Sequence, residues 1–211
     1  MNPAHPAHPA HPAHPAHPTH PTHPTGANET MTRTPATPAP PAPGTAYWTE
    51  TDSPVGRLLL TADPDGVLTA LAVPGGRTVP DLTGARRDPG PFREAEAQLA
   101  AYFAGDPKRF RLPLRGRGTA FRERVWAALD EVPYGTTTTY GEIAARVGAS
   151  RAAVRAVGGA IGANPLLILR PCHRVIGADG SLTGYAGGLD RKTRLLALEA
   201  NPPVPPPATR R

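Results

Sequence analysis

A cysteine and a histidine stand side by side in the string Arg170-Pro171-Cys172-His173-Arg174-Val175-Ile176-Gly177. Cys172 is the only cysteine of the chain, and His173 is its only histidine outside an N-terminal repeat. A thiol attacks as its thiolate, and with an ordinary pKa of about 8.5 it is mostly protonated at neutral pH. An adjacent imidazole is a natural base for that proton. The pair therefore reads as a nucleophile and its activator. A single buried cysteine at a strand end is, however, more often structural.

The elements around the pair can be read from pattern. Leu166-Leu167-Ile168-Leu169 reads as a buried strand that follows an Asn164-Pro165 turn and delivers Cys172. Upstream, Phe121, Val125, Trp126 and Leu129 recur at helical spacing over about 120–130, and Pro133-Tyr134-Gly135 ends that helix. Thr139 can cap a second helix, Tyr140 to Val147, with Ile143, Ala144 and Val147 inward. Gly148 breaks it, and Ser150 can cap a third helix from Arg151 to about Gly162. Two helices joined by a three-residue break are a helix-turn-helix signature.

The earlier part of the chain reads differently. Tyr47–Thr49, Arg57–Thr61 and Val67–Val73 are β-rich runs separated by turn residues, which indicates a meander. A Gly/Pro/Arg-rich connection over 74–90 and a helix over about 92–103, with Leu99, Tyr102 and Phe103 on its apolar side, complete a small α/β unit. No residue of that unit reads as catalytic.

Composition bounds the folded part. Seven of the eight histidines fall every third residue from 5 to 23 in an Ala/Thr-His-Pro repeat, and proline clusters there, up to Pro43, and again over 202–207. Segments so poor in large apolar residues cannot offset chain entropy, so 1–44 and 201–211 are expected to be disordered tails. Domains are expected at 45–113 and 119–200. In a polyproline helix the repeat's imidazoles would lie about 9 Å apart, too far for neighbours to share one zinc ion without a sharp bend. The tail reads as a spacer with at most adventitious metal binding, and no dedicated metal site or cofactor is expected. Met31 is an alternative start. One cysteine excludes an intrachain disulfide, and the absence of an 18-residue apolar run or signal-peptide pattern points to a cytoplasmic protein without a membrane partner.

The formal net charge of +6 belongs to the folded part, because residues before 45 hold one acid, Glu29, and one base, Arg33. An arginine-rich basic domain suggests a polyanion, most simply nucleic acid; a solvated basic surface is the plainer alternative. The third helix offers Ala152, Ala153, Ala156, Gly158, Gly159 and Ala160, which cannot hydrogen-bond base edges. If it meets DNA, the contact is largely sequence-independent and dominated by phosphates. The same small residues equally suit a helix packed tightly inside the domain.

From Phe121 through Pro133-Tyr134-Gly135, Thr139-Tyr140, Arg155-Ala156-Val157-Gly158, Asn164-Pro165, Pro171-Cys172-His173-Arg174-Val175-Ile176, Gly184-Tyr185-Ala186-Gly187-Gly188-Leu189 and Lys192 to Glu199, the chain resembles the O6-alkylguanine-DNA alkyltransferases. The resemblance implies a ribonuclease-H-like α/β N-terminal domain and a mainly α C-terminal domain with a winged-helix-like helix-turn-helix. It implies DNA repair by irreversible, stoichiometric transfer of the alkyl group from O6-alkylguanine, and from O4-alkylthymine, in a flipped-out nucleotide of double-stranded DNA, by a monomer. Carried over residue by residue, Cys172 is the acceptor and His173 its base, acting through a water because neighbours on an extended segment point apart. Glu199 orients the imidazole, Tyr140 donates to the departing base, and Asn164 ties the third helix to the strand bearing Cys172. Arg155 fills the space left by the flipped nucleotide, on a helix that also presents Arg151, Ala156 and Gly159 to DNA, with Thr139 nearby. Tyr185, Ala186, Arg174 and the Val175 carbonyl form the base pocket.

Three positions depart from the family. Arg170 stands where an aliphatic residue is usual, either assisting the thiolate or snorkelling outward. Thr139 and Ala186 stand where many relatives have serine. Competing readings are a DNA-lesion binder without transfer activity, a transcription regulator and a thiol hydrolase. Cys172 argues against the first, the small-residue helix against the second, and the lack of an oxyanion-hole loop against the third.

Overall fold

The computed structural model describes residues 46–106 and 109–200. The expected terminal tails, the histidine repeat and Met31 lie outside the described residues.

The meander is present. Strands β1 (Tyr47–Thr51), β2 (Leu58–Ala62) and β3 (Leu68–Ala72) pair antiparallel, with Thr49 opposite Leu60 and Leu60 opposite Leu71. All of β2 is buried, as expected of a central strand covered on both faces. The connection expected over 74–90 contains one more strand, β4 (Arg86–Arg87), parallel to β1, so the sheet order is β3-β2-β1-β4. Two residues give too short a pattern to be legible beforehand. Helix α1 (Arg93–Phe103) follows a 3-10 turn at Gly90–Phe92 and buries Ala95, Leu99 and Tyr102.

The second half is helical. Thr119 caps α2 (Ala120–Asp130) by accepting a hydrogen bond from the Arg122 amide, and α2 buries Val125, Trp126 and Leu129. A two-residue strand, β5 (Thr138–Thr139), runs into α3 (Tyr140–Arg146), where Thr139 and Glu142 form a reciprocal capping box. Gly148 turns the chain at φ 68°, a left-handed conformation open to glycine at little cost.

The third helix starts differently from expectation. Ser150 has an extended backbone but its side chain caps nothing; Arg151–Ala153 form a 3-10 turn, and α4 runs over Val154–Gly162. Val157, Ala160 and Ile161 of α4 face the core, and the Trp126 indole donates to the Ala160 carbonyl at 2.8 Å, locking α2 to α4. Helix α5 (Leu189–Ala200) closes the described chain.

The segment expected as a strand over Leu166–Leu169 is a bridge followed by a tight turn. Leu71 of β3 donates to the Pro165 carbonyl and Leu167 donates back to Leu71, so this segment covers the free edge of β3. The chain then doubles back, with Ile168 at φ 68°. A β-branched residue there costs roughly 1–3 kcal/mol and persists where its surroundings over-determine it. Here they do: all of Leu166 to Leu169 are buried, and Leu167 bridges to Arg170.

Candidate active site

Cys172 emerges from that turn. Cys172–Arg174 form a 3-10 turn rather than an extended segment, and β6 (Val175–Ile176) follows at once, pairing parallel with β5. The pairing puts Tyr140, the first residue of α3, close to the cysteine turn. A cavity of about 90 Å³ is lined by Cys172, Tyr140, Gly158, Ile161, Tyr185 and Ala186, among others. Cys172, Tyr140, Tyr185 and Ala186, predicted as site residues from widely spaced motifs, thus share one space. Gly187 lies so close to the Tyr185 ring that a Cβ would come within 2.7 Å of it, which explains a glycine beside this wall.

Asn164 organises the turn. It is fully buried; its amide nitrogen lies 3.1 Å from the Arg170 carbonyl, 3.3 Å from the Leu166 carbonyl and 3.1 Å from Cys172 Sγ, while its Oδ1 accepts from the Leu166 amide. Cys172 is 4% exposed. Burial pushes its thiol up to about 11, against the opposing effects of the Asn164 hydrogen bond and the Lys192 charge. At neutral pH the resting sulfur is a thiol.

His173 and Glu199 are buried as well. His173 Nε2 lies 2.8 Å from Glu199 Oε1, and its Nδ1 has no hydrogen-bond partner among the described residues. With Nε2 donating to a carboxylate, the network assigns the lone pair of the neutral ring to Nδ1. Burial lowers the His173 pKa, partly opposed by Glu199, so the ring is neutral at rest. Burial alone would raise Glu199, but hydrogen bonds from His173 and Arg174, and the Arg174 charge, bring it down to about 2. Glu199, which by itself would read as a solvent-exposed helix charge, is the centre of a buried cluster.

Arg174 belongs to this cluster and not to the cavity. Its Nε and Nη2 donate to the two Glu199 oxygens at 2.8 and 2.9 Å, and Nη1 donates to the Val132 carbonyl. Val175 departs from expectation in the same way: it is absent from the cavity lining, and its carbonyl accepts a 2.6 Å hydrogen bond from Lys192 Nζ. Lys192, fully buried, also donates to the Thr183 and Gly184 carbonyls and so ties the 183–184 loop to β6. Sequence reasoning gave Lys192 no role. A lysine at 0% exposure is rare enough that only the fold reveals it.

Arg170 neither snorkels outward nor lines the cavity. It lies over the Trp126 ring at 5.2 Å with Nε 3.6 Å from Asp130, and packs against Gly116. Thr139 spends its hydroxyl on the α3 cap. Arg151, Arg155, Ala156 and Gly159 all face solvent on one side of α4 and its leading turn.

No residue of the N-terminal half was expected to be catalytic, and that half contributes two residues to the site's surroundings. Arg77 lines the cavity, anchored by its amide to the Ala186 carbonyl at 3.1 Å. Tyr102, 1% exposed, donates from its hydroxyl to Glu199 Oε1 at 2.7 Å. Neither carries a sequence signal, because Tyr102 is indistinguishable from a core aromatic of α1. Among the described residues no helix is long and apolar enough to cross a membrane.

Known proteins are similar to this chain in sequence and in fold. Residues 46–115 match the model of the 6-O-methylguanine DNA methyltransferase ribonuclease-like domain, and 120–201 match that of the same family's DNA binding domain. The methylated-DNA–protein-cysteine methyltransferase of Mycolicibacterium paratuberculosis is 55% identical over 148 residues, covering 70% of this chain and 88% of the relative. That of Methanosarcina acetivorans is 48% identical over 157 residues, covering 74% and 99%. Mycobacterium tuberculosis OGT in a crystal structure with DNA superposes with a TM-score of 0.69 at 50% identity, covering 73% of this chain and 92% of that one. With two matching domain models and relatives this similar, the chain belongs to the methylated-DNA–protein-cysteine methyltransferase family.

Proposed function

We propose that this protein repairs DNA by moving the alkyl group of O6-alkylguanine, in a nucleotide flipped out of the duplex, onto Cys172. The observation that carries the reading is the cavity that joins the only thiol of the chain to Tyr140, backed by a buried His173–Glu199 pair. Its domains are 45–113 and 119–200, and it acts as a cytoplasmic monomer.

The resting thiol gives its proton toward Nδ1 of His173, the ring nitrogen left with a lone pair. No direct hydrogen bond joins the two side chains, which suits transfer through a water. Glu199 stabilises the imidazolium that forms, while Lys192 and Asn164 favour the thiolate. Sulfur attacks the alkyl carbon in line, the S–C bond forming as the C–O6 bond breaks. Tyr140, whose hydroxyl bonds the Thr183 carbonyl at 3.3 Å in the resting protein, turns to donate to the base as its ring gains charge. The imidazolium then returns its proton through solvent to Tyr140, so that, summed over the step, one proton passes from the thiol to guanine and the alkyl group ends on sulfur.

Removing the base from the stack costs a few kcal/mol. Arg155, exposed on α4, fills the gap, and Ala156 and Gly159 let that helix approach the groove closely. Arg151 adds a phosphate contact near Thr139. Tyr185 and Ala186 hold the extruded guanine, and O4-alkylthymine fits the same chemistry.

No group in the site can hydrolyse a thioether, so each molecule acts once. The test is a titration with O6-methylguanine duplex: one methyl group per protein, reached in a single phase and independent of excess substrate, is expected. Continued turnover, or lesion binding without transfer, overturns the reading.

A further inference from the structure

We propose that Tyr102, carried by α1 in the N-terminal half, is a positioning residue for alkyl transfer that acts through Glu199: its hydroxyl donates to the carboxylate oxygen that faces the His173 imidazole and so sets how strongly that oxygen holds the imidazole proton. The inference rests on the function proposed above and deepens it.

Glu199 Oε1 accepts from three groups: Tyr102 Oη at 2.7 Å, His173 Nε2 at 2.8 Å and Arg174 Nη2 at 2.9 Å. Oε2 accepts from Arg174 Nε and from the Gly135 amide at 3.1 Å. Each donor drains charge from the carboxylate, and Tyr102 acts on the very oxygen that faces the imidazole. Burial and the neighbouring Glu199 charge raise the Tyr102 pKa, so the hydroxyl stays protonated and can only donate. Its ring is wedged against Phe103, Phe110 and Tyr134, with centroids 5.2 to 5.9 Å away, leaving the hydroxyl no other course.

The charged and titratable groups facing the pair are Arg174, Lys192, Tyr134, Cys172 and Tyr185, whose ring stands edge-on to His173. Arg174 and the Gly135 amide already fix where the carboxylate sits, so the distinct effect of Tyr102 is on how strongly Oε1 attracts the His173 proton. With the hydroxyl present, the imidazole is a weaker base and stays neutral further into acid. Without it, His173 holds a proton at higher pH and is lost as a base sooner.

Tyr102→Phe removes the hydroxyl and keeps the ring. Two rates are followed across pH: methyl transfer from an O6-methylguanine duplex, and alkylation of Cys172 by iodoacetamide, in which the S–C bond forms as iodide leaves. The second needs no DNA, so it reads Tyr102 apart from the function proposed above. The acid limb of both profiles should move up by about half to one pH unit, the share of a charge-assisted hydrogen bond felt at the imidazole. DNA affinity should not change. Phe110→Leu, which loosens the same ring without touching the carboxylate, should lower the melting temperature and leave the acid limb in place. An unmoved iodoacetamide limb in Tyr102→Phe overturns the assignment. A moved one, with no methyl transfer from duplex by the unaltered protein, upholds Tyr102 and sinks the proposed function instead.

Discussion

Inside the molecule, Cys172, His173, Asn164 and Glu199 are each 4% exposed or less, and they are hydrogen-bonded as two pairs, Asn164 with Cys172 and His173 with Glu199. On the outer face of α4 and its leading turn, Arg151, Arg155, Ala156 and Gly159 lie exposed, and among the described residues neither arginine has an ion-pair partner. The buried set is organised before any ligand arrives, so losing one member leaves others unsatisfied in a low-dielectric space. On the function proposed above the outer face meets a polyanion, and its members act nearly independently. Substitutions inside should therefore be large and non-additive, and those outside modest and additive.

The largest effect is expected at Cys172. Cys172→Ser should abolish methyl transfer while preserving affinity for an O6-methylguanine duplex, measured by fluorescence anisotropy; equal loss of both would merge the two regions. Glu199→Gln comes next, because it strands the buried Arg174 guanidinium. Breaking a buried pair costs about 3–5 kcal/mol, to be read from urea unfolding. Asn164→Ala leaves the buried Leu166 amide without its partner, at about 1–3 kcal/mol, and should also slow transfer.

On the outer face, Arg155→Ala should slow transfer from duplex about tenfold or more while sparing transfer from a free O6-alkylguanine base, since only the duplex requires flipping. A similar loss on both substrates would place Arg155 with the inner set. Arg151→Ala should do least, reducing the slope of log affinity against log salt by about one.

Acid should expose the inner set alone. His173 is depressed below its ordinary 6.5, so the unfolded chain takes up that proton first, and stability present above this pH is lost as pH falls. Glu199, held at about 2 against an ordinary 4.5, contributes stability above 4.5 that is lost as pH falls toward 2. Thermal melts across this range should show both losses in the unaltered protein, and the lower one should vanish in Glu199→Gln.

How far the sequence foretold this depends on where each signal resides. The meander, α2, α3 and the cap at Thr139 follow from local periodicity and turn chemistry, and they fell within a few residues of their expected bounds. The segment before Cys172 did not: four consecutive apolar residues suit a buried strand and a buried turn alike, and tertiary pairing with Leu71 decided between them. Arg174 looked like a pocket residue because it adjoins the motif, yet the 3-10 turn swings it toward Glu199 on the far side. Tyr102 was hidden for a different reason, since its contact spans 97 residues and nothing local distinguishes it from the rest of the core. Chemistry carried by adjacent residues was legible; chemistry assembled across the fold was not.

The central claim is that the sulfur of Cys172 ends the reaction bearing the alkyl group. Incubation with an O6-methylguanine duplex followed by peptide mass analysis addresses it directly. One added methyl group on the peptide containing Cys172, and on no other, is the expected result. A stable complex with the lesion and an unmodified Cys172 peptide would contradict it.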